Sequence, residues 1–233
     1  MQTATWLFTG EAVHRDSLGS EQVIRPGQLN LMTAGFGISH SEEGTGRYSG
    51  KLEGVQLWIA QPSGSRHGAA AFDHHPELPQ LDLDDSVATV LIGEVEGQRS
   101  AARRDTDHVG IDLQLHGPAT VVPQRPEFEY GVVVCSGRVT IDHQPVGPGQ
   151  FAYLGRGRDE CRLTVDEPTR AVMIGGVPFD EPLLMWWNFV ARTRDEITAA
   201  HREWAADGDR FGTVASSLPR VEVGPLPWSA SGT

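Results

Sequence analysis

The sequence predicts an all-β protein of two related jelly-roll barrels with one helix near the C-terminus. Glycine and proline interrupt the 233-residue chain roughly every 8 to 15 residues, and the segments between them are rich in β-branched and aromatic residues. One pattern of strands and turns occurs twice along the chain. A later segment instead places its apolar residues on a helical period.

Six segments carry the strongest strand signal. They are TATWLFTGEAV from residue 3, GVQLWIAQP from residue 54, ATVLIGEVEG from residue 88, VGIDLQLHG from residue 109, YGVVVCSGRVTID from residue 130 and TRAVMIGGV from residue 169. Within the fifth segment SGRV is suited to a tight hairpin turn, and GPGQ from residue 147 is suited to another.

The repeat consists of VIRPGQLNLM (residues 23–32) and PVGPGQFAYL (residues 145–154), which align without gaps and share Pro-Gly-Gln. Upstream of each copy lies a strand, a glycine and a second strand. Such a unit occurring twice predicts two antiparallel barrels that close their edges by jelly-roll pairing. We expect the first barrel in residues 1–110 and the second in residues 111–233.

The predicted helix lies in EPLLMWWNFVARTRDEITAAHREW and spans about residues 182–205. Its apolar stripe consists of Leu183, Trp187, Val190, Ile197 and Trp204. Pro182 suits the first turn, and Trp186, Trp187 and Phe189 are interpreted as packing anchors. After Gly212 the Pro-, Ser- and Gly-rich tail is expected to be irregular or partly mobile.

Composition excludes several classes of function. The formal net charge of −12 argues against direct binding to nucleic acid, which requires clustered lysine and arginine. The sequence contains no long apolar run and no N-terminal signal segment, so a cytoplasmic protein without a membrane span is expected. Cys135 and Cys161 have no motif spacing and are expected to be reduced thiols.

The stretch LMTAGFGISHSEE (residues 31–43) contains the candidate site residues His40 and Glu42. If residues 39–43 are extended, both side chains project from the same face of the strand. An imidazole beside a carboxylate forms half of a metal site or half of an acid–base pair. The alternative is a solvated loop histidine beside an acidic run.

Five blocks together resemble pirin-like proteins, which are bicupins of the cupin superfamily. The blocks are HRDSLG (residues 14–19), PGQLNLMTAG (26–35), GISHSE (37–42), GVQLWI (54–59) and EPLLMWWNFVARTRDEI (181–197). The resemblance covers most of the chain, from about residue 3 to residue 204. It implies two tandem cupin barrels, of which the second has generally lost its metal.

In that family the first cupin holds a mononuclear metal, usually iron, by three histidines and a glutamate. The resemblance assigns His40 and Glu42 to two of these four ligand positions, and Fe(II) suits such donors. The other two histidines form a His-x-His pair on the strand before TATWLF, so we expect them upstream of Met1, in a segment that this sequence lacks.

Four other histidines of this chain are candidates to replace the missing pair. His14 is assigned to a turn, and His67, His74 and His75 to loops, so none has the strand spacing beside TATWLF that a ligand requires. A second departure is Phe36, which stands where the family commonly has arginine, so a cation is expected to be absent there.

The resemblance implies enzymatic potential as an iron-dependent dioxygenase of the quercetin 2,3-dioxygenase type. Glu42 would then be a metal ligand and a candidate catalytic base toward a small aromatic, flavonol-like substrate. One alternative is a non-enzymatic, redox- or metal-responsive regulator that acts through protein partners. Another is an incomplete site that binds metal weakly.

Overall fold

A computed structural model describes residues 1–228, and strands dominate it. The strands up to residue 99 are β1 (Gln2–Thr9), β2 (Ala12–Asp16), β3 (Glu21–Ile24), β4 (Leu29–Thr33), β5 (His40–Gly44), β6 (Glu53–Ile59), β7 (Ala71–His75), β8 (Gln80–Leu83), β9 (Ser86–Ile92), β10 (Glu94–Val95) and β11 (Gln98–Arg99). The remaining strands are β12 (His108–Leu115), β13 (Ala119–Pro123), β14 (Glu129–Ser136), β15 (Val139–Ile141), β16 (Gln144–Val146), β17 (Phe151–Gly155), β18 (Glu160–Thr164), β19 (Thr169–Gly176), β20 (Leu184–Trp186) and β21 (Phe189–Ala191). Helix α1 spans Arg194–Ala205, and a short 3-10 helix spans Asp209–Phe211. All six segments with the strongest strand signal therefore contain strands, as predicted.

The chain divides into two compact units. The first contains Met1–His74 together with the chain from Asp180 onward, and the second contains His75–Phe179. This division differs from the expected boundary at residue 110. Strand β9 pairs with both β8 and β12, so residues 80–92 contribute to the sheet of the second barrel. The C-terminal helix groups with the first barrel rather than the second.

The first unit contains a four-stranded sheet in the order β6-β1-β4-β7 and a three-stranded sheet in the order β3-β2-β5. Strand β1 is central, because it pairs antiparallel with both β4 and β6. The hairpin β20-β21 and helix α1 complete this unit. No helix within residues 1–228 is long and apolar enough to cross a membrane.

The second unit is built from a six-stranded sheet in the order β17-β14-β19-β12-β9-β8 and a four-stranded sheet in the order β13-β18-β15-β16. Alternate residues of these strands, among them Ile111, Leu113, Val132 and Leu163, form one buried apolar core. Cys161 lies in this core, and burial raises the pKa of its thiol to about 11. Both cysteines are free thiols, as predicted.

The repeat is confirmed as a structural unit. In both copies a strand leads through a glycine with positive φ to a second strand, and a Pro-Gly turn precedes the next strand. Gly27 and Gly149 occupy the third position of these turns with φ of +85° and +74°, as a type II turn requires. Gln28 and Gln150 then close the turn in the same way, since each side-chain Oε1 accepts a backbone N–H three residues earlier, at 3.0 and 2.7 Å respectively.

The predicted helix over residues 182–205 is wrong in its first half. Residues 184–191 form the hairpin β20-β21, whose tight turn places Trp187 at a φ of +51°. Aromatic and β-branched residues favour strands, so local preference overrides the apparent helical period here. The helix begins only after Thr193, whose side-chain oxygen accepts the backbone N–H of Glu196 as an N-cap.

The aromatic residues of the hairpin are packing anchors, as predicted. Phe189 and Ile197 are buried in a cluster with Phe211 and Leu226, and both tryptophans of the hairpin pack against it. The tail has no helix or strand between residues 212 and 228, in agreement with the expected irregular end, but Leu226 is buried. The part of the predicted tail after residue 228 lies outside the described residues.

Candidate functional site in the first barrel

Strand β5 carries His40 and Glu42 on one face, as the extended conformation predicts. The neighbouring strand β2 places Asp16 directly opposite His40 and His14 directly opposite Glu42. Residues that face each other across an antiparallel pair project from the same side of the sheet. Four chemically active side chains are therefore gathered on the β2-β5 face.

Glu42 is hydrogen-bonded across the barrel to the four-stranded sheet. Its Oε1 accepts Nε2 of Gln56 at 2.9 Å and the hydroxyl of Thr5 at 3.3 Å. Nε2 of Gln56 also donates to the Thr5 hydroxyl at 3.0 Å, and Nε1 of Trp58 donates to Oε1 of Gln56 at 3.1 Å. The carboxylate thus belongs to a polar network formed by three strands of two sheets.

His14 lies in a ring stack between Phe72 and His40. Its imidazole is nearly parallel to the Phe72 ring, with 4.3 Å between the ring centroids. The centroid of the His40 ring lies 5.8 Å from that of His14, at an interplanar angle of 21°. Nε2 of His14 contacts Oδ2 of Asp16 at 3.2 Å. His14 and Asp16 are both buried, so this pair is a fixed support beneath His40.

The pKa values of this face follow from burial and hydrogen bonding. Burial acts to raise the pKa of Asp16, but hydrogen bonds from Ser20, His14 and Leu18 outweigh it and lower the pKa. Desolvation lowers the pKa of His40, against the opposing effect of the Glu42 charge. His40 is therefore favoured as a neutral imidazole, the form that can bind a metal or accept a proton.

A cavity of about 590 Å³ opens beside this face. Its lining consists of Thr5, Leu7, Glu11, Ala12, His14, Ile24, Glu42, Glu43, Gly44, Tyr48, Leu52, Gly54, Val55 and Gln56. Tyr48 and Leu52 are 51% and 47% exposed, which places them at its mouth. The cavity combines apolar side chains with polar and acidic ones, and a concave surface of this size can hold a small molecule.

The C-terminal segment of the first unit holds the outer side of β5. The backbone N–H of Ser39 donates to the carbonyl of Phe211 at 2.8 Å, and the Ser216 hydroxyl donates to Glu43 at 2.7 Å. The Arg210 guanidinium lies 4.2 Å from the centre of the Phe36 ring. The expectation that no cation lies at Phe36 is therefore wrong, because Arg210 reaches this residue from a distant part of the chain.

Three of the four other histidines are placed differently from the expectations, whereas His67 lies outside the strands, as expected. His14 lies in strand β2 rather than in a turn, and His74 and His75 end strand β7 rather than lying in a loop. His74 Nδ1 contacts Oδ1 of Asn30 at 2.7 Å, and His67 packs near Phe36. Of these histidines, His14 is adjacent to His40. The predicted turn at His14 did not anticipate this contact.

Sequence reasoning missed Thr5, Gln56 and Asp16 as members of the site. Gln56 offered a signal, because it is a polar residue between the apolar residues Val55 and Leu57 of a predicted strand. Thr5 pairs directly with Gln56 across β1 and β6, and the sequence by itself does not specify that register.

The donors of the first barrel are of the kind that binds iron, but they do not complete a metal site. Among the residues up to 228, no group of three or more His, Cys, Asp or Glu side chains is arranged to hold a metal ion. His14 has the chemistry of a third metal ligand, but its Nε2 contacts Asp16. His40 and Glu42 are thus two donors, and we assign no chemical step to a metal bound by this part of the chain.

Two family models match the sequence. The model of the Pirin family matches residues 1–59, and that of the Pirin C-terminal cupin domain matches residues 110–212. The first match lies within the first unit, whereas the second covers residues 110–179 of the second unit and continues into residues 180–212, which group with the first unit.

Named relatives extend over nearly the whole chain. A Pseudomonas aeruginosa protein named "Putative quercetin 2,3-dioxygenase PA1205" is 42% identical over 98% of this chain and 73% of its own length. A pirin-like protein of Caulobacter vibrioides is 32% identical over 97% of this chain and 78% of its own length. The crystal structure of a quercetin 2,3-dioxygenase from Acinetobacter baumannii is 39% identical, with a TM-score of 0.92 over 97% of this chain and 76% of that one. This chain, with its tandem cupin barrels, is a member of the pirin family.

Proposed function

We propose that this protein is a dioxygenase of the quercetin 2,3-dioxygenase type that binds a flavonol-like molecule in the cavity of the first barrel. The observation that carries the proposal is the Glu42 carboxylate in the wall of a cavity that also presents the apolar side chains of Leu7, Ile24, Leu52 and Val55. The names of the Pseudomonas and Acinetobacter relatives support the substrate class.

Glu42 is the group that would receive the hydroxyl proton of the bound flavonol. Its Oε1 accepts hydrogen bonds from Gln56 and Thr5, which hold the carboxylate in one orientation. A positioned carboxylate within hydrogen-bond reach of a substrate hydroxyl can act as a general base. The apolar side chains of Leu7, Ile24 and Val55 would contact the aromatic rings and exclude water.

We further propose that His40 and Glu42 are two ligands of a mononuclear metal, with Fe(II) as the expected ion. A neutral imidazole and a carboxylate are the donors that non-haem iron sites use. Because the described residues contribute two such donors, the chain by itself should bind the metal weakly. Weak binding by this polypeptide is the second outcome that the experiment must separate from catalysis.

The test measures bound iron and oxygen consumption with quercetin, at equal protein concentration, after anaerobic loading with Fe(II). Wild-type protein should consume quercetin and oxygen in equal amounts, and Glu42→Gln should lower the rate by about 100-fold, the usual effect of losing a general base. His40→Ala should release the iron. His116→Ala is the matched control, because His116 is an exposed histidine of the second unit.

Two results would contradict the proposal. Protein that holds iron but consumes no flavonol is not a flavonol dioxygenase. Protein whose iron content is unchanged by His40→Ala does not use His40 as a ligand. Protein that binds little iron would instead support the incomplete site.

A further inference from the structure

We propose that Gln56 and Trp58 are positioning residues that orient Glu42, so that in the metal-free chain its Oε2 atom is the acceptor for one hydroxyl group of the ligand. The inference rests on the proposed function only in taking the cavity of the first barrel as the ligand site. It adds the residues that prepare the carboxylate and the chemical feature of the ligand that they select.

The indole of Trp58 determines which way the Gln56 amide faces. An indole N–H can donate a hydrogen bond but cannot accept one, so it must contact the amide oxygen. Nε1 of Trp58 lies 3.1 Å from Oε1 of Gln56. The amide nitrogen of Gln56 is consequently turned to the opposite side, where Glu42 lies 2.9 Å away.

Every polar hydrogen of the Gln56 and Thr5 side chains is donated within this network. The two N–H groups of the Gln56 amide match its two acceptors, the Thr5 hydroxyl oxygen at 3.0 Å and Oε1 of Glu42 at 2.9 Å. The Thr5 hydroxyl has one hydrogen, and it is donated to the same carboxylate oxygen at 3.3 Å. Oε1 of Glu42 is therefore occupied by two donors.

The second oxygen of Glu42 is left available by this arrangement. Within residues 1–228, no side chain or backbone group donates a hydrogen bond to Oε2. Since Glu42 lines the cavity, this oxygen is the acceptor that a bound molecule can reach. Because two donors hold Oε1 and none contacts Oε2, Glu42 presents a single acceptor atom in a fixed direction.

A single fixed acceptor selects a ligand that carries a hydrogen-bond donor. An aromatic molecule with a free hydroxyl donates to Oε2, whereas the corresponding methyl ether would cover this oxygen and displace its water without offering a donor, which is costly. The cavity is also lined by Glu11 and Glu43 but by no lysine or arginine of the described residues. An uncharged hydroxyaromatic compound therefore suits the site better than an aromatic carboxylate.

The experiment compares the binding of 3-hydroxyflavone and 3-methoxyflavone to the metal-free full chain by fluorescence titration, without turnover. Wild-type protein should prefer the hydroxyl compound by about tenfold, the effect of one hydrogen bond to a charged group. Gln56→Met keeps the length of the side chain but removes both amide functions, and Trp58→Phe keeps a ring but removes the N–H. Each variant should reduce the preference to about twofold or less by weakening binding of the hydroxyl compound while leaving that of the methyl ether unchanged.

Trp228→Phe is the matched control, because the Trp228 indole donates its N–H to Thr198, a residue outside the cavity lining. This variant should keep the wild-type preference. The double variant Gln56→Met with Trp58→Phe should lose no more than either single variant, since both changes disable the same orienting network. Circular dichroism checks that each variant is folded.

The proposal is overturned if wild-type protein does not distinguish the two flavones, if a folded Gln56→Met variant keeps the preference, or if the two changes are additive. The proposed function fails separately. If the preference is present and depends on both residues but quercetin and oxygen are not consumed, the positioning role stands and the dioxygenase assignment does not.

Discussion

The guanidinium of Arg210 lies over the ring of Phe36, 4.2 Å from its centre, and its Nε donates a 2.8 Å hydrogen bond to the Phe36 carbonyl. These residues are 174 positions apart in the sequence. The contact ties the C-terminal segment to the loop that leads into β5, the strand of His40 and Glu42. A cation–π contact and a hydrogen bond together determine the position of this loop.

Removal of the Arg210 side chain should therefore loosen the loop before β5. Arg210→Ala is expected to lower the free energy of unfolding by about 1–2 kcal/mol, because it removes the cation–π contact and hydrogen bond to Phe36 together with weaker contacts to Phe211 and Glu203. Hydrogen exchange of residues 36–43 should accelerate. Arg202→Ala, at an exposed arginine of helix α1, is the control and should change neither quantity by a comparable amount. Unchanged exchange in Arg210→Ala would show that the contact does not hold the loop.

The ion pair of Glu196 with Arg66 should make stability depend on pH. Hydrogen bonds from Arg66, helped by the backbone of Arg192, outweigh desolvation and lower the pKa of Glu196 to about 2. A depressed pKa in the folded state contributes stability above the ordinary value of 4.5, and this contribution is lost as pH falls toward 2. Glu196→Gln should thus cost about 1 kcal/mol at pH 7, allowing for solvent screening, and the difference from wild type should shrink below pH 4.5.

Chemical denaturation at a series of pH values measures this difference. Glu222→Gln, at an exposed glutamate of the same unit, is the matched control and should follow the wild-type curve. A cost of Glu196→Gln that is equally large at pH 3 and pH 7 would exclude the charge of Glu196 as its source.

The repeated Pro-Gly turn should depend on backbone conformation rather than on space. Gly149 has a φ of +74° and no atom within 4 Å of the position that a Cβ would take. Gly149→Ala should cost about 1 kcal/mol of unfolding free energy through the left-handed conformation, and Gly149→Asn should cost less. Gly147→Ala in the same turn, where φ is not positive and the nearest atom is 3.6 Å away, should change stability by less than about 0.5 kcal/mol. Equal costs at both positions, measured by urea unfolding, would contradict this account.

Tyr48 at the mouth of the cavity should contribute to ligand affinity but little to stability. Its side chain is half exposed, so Tyr48→Ala removes an aromatic contact for the ligand without opening a core cavity. We expect about tenfold weaker binding of quercetin in calorimetric titration, while Tyr48→Phe keeps most of the affinity. Tyr153→Ala, at an exposed tyrosine of the second unit, should bind as wild type does. Equal affinities of Tyr48→Ala and wild type would place the ligand elsewhere.

Local sequence patterns did not correctly place the start of helix α1. Ile197 and Trp204 do pack from α1 into the aromatic cluster, but Trp187 and Val190 belong to a hairpin that the same spacing suggested was helical. An aromatic segment of this length is compatible with either structure, and contacts such as that of Trp187 with Trp204 at 5.3 Å are made in the folded protein only. The Thr193 N-cap was the local signal that would have placed the helix start correctly.

The all-β class, the repeat with its two Pro-Gly-Gln turns and the shared face of His40 and Glu42 follow from the amino-acid sequence alone, because each depends on turn chemistry or on the two-residue period of a strand. The tertiary structure decided what surrounds that face. His14 beneath His40, Gln56 beside Glu42 and Arg210 over Phe36 come from strands or segments whose register and pairing depend on packing between distant parts of the chain. Contacts between such distant residues cannot be predicted from a local sequence pattern, because these side chains come together only when the barrel folds.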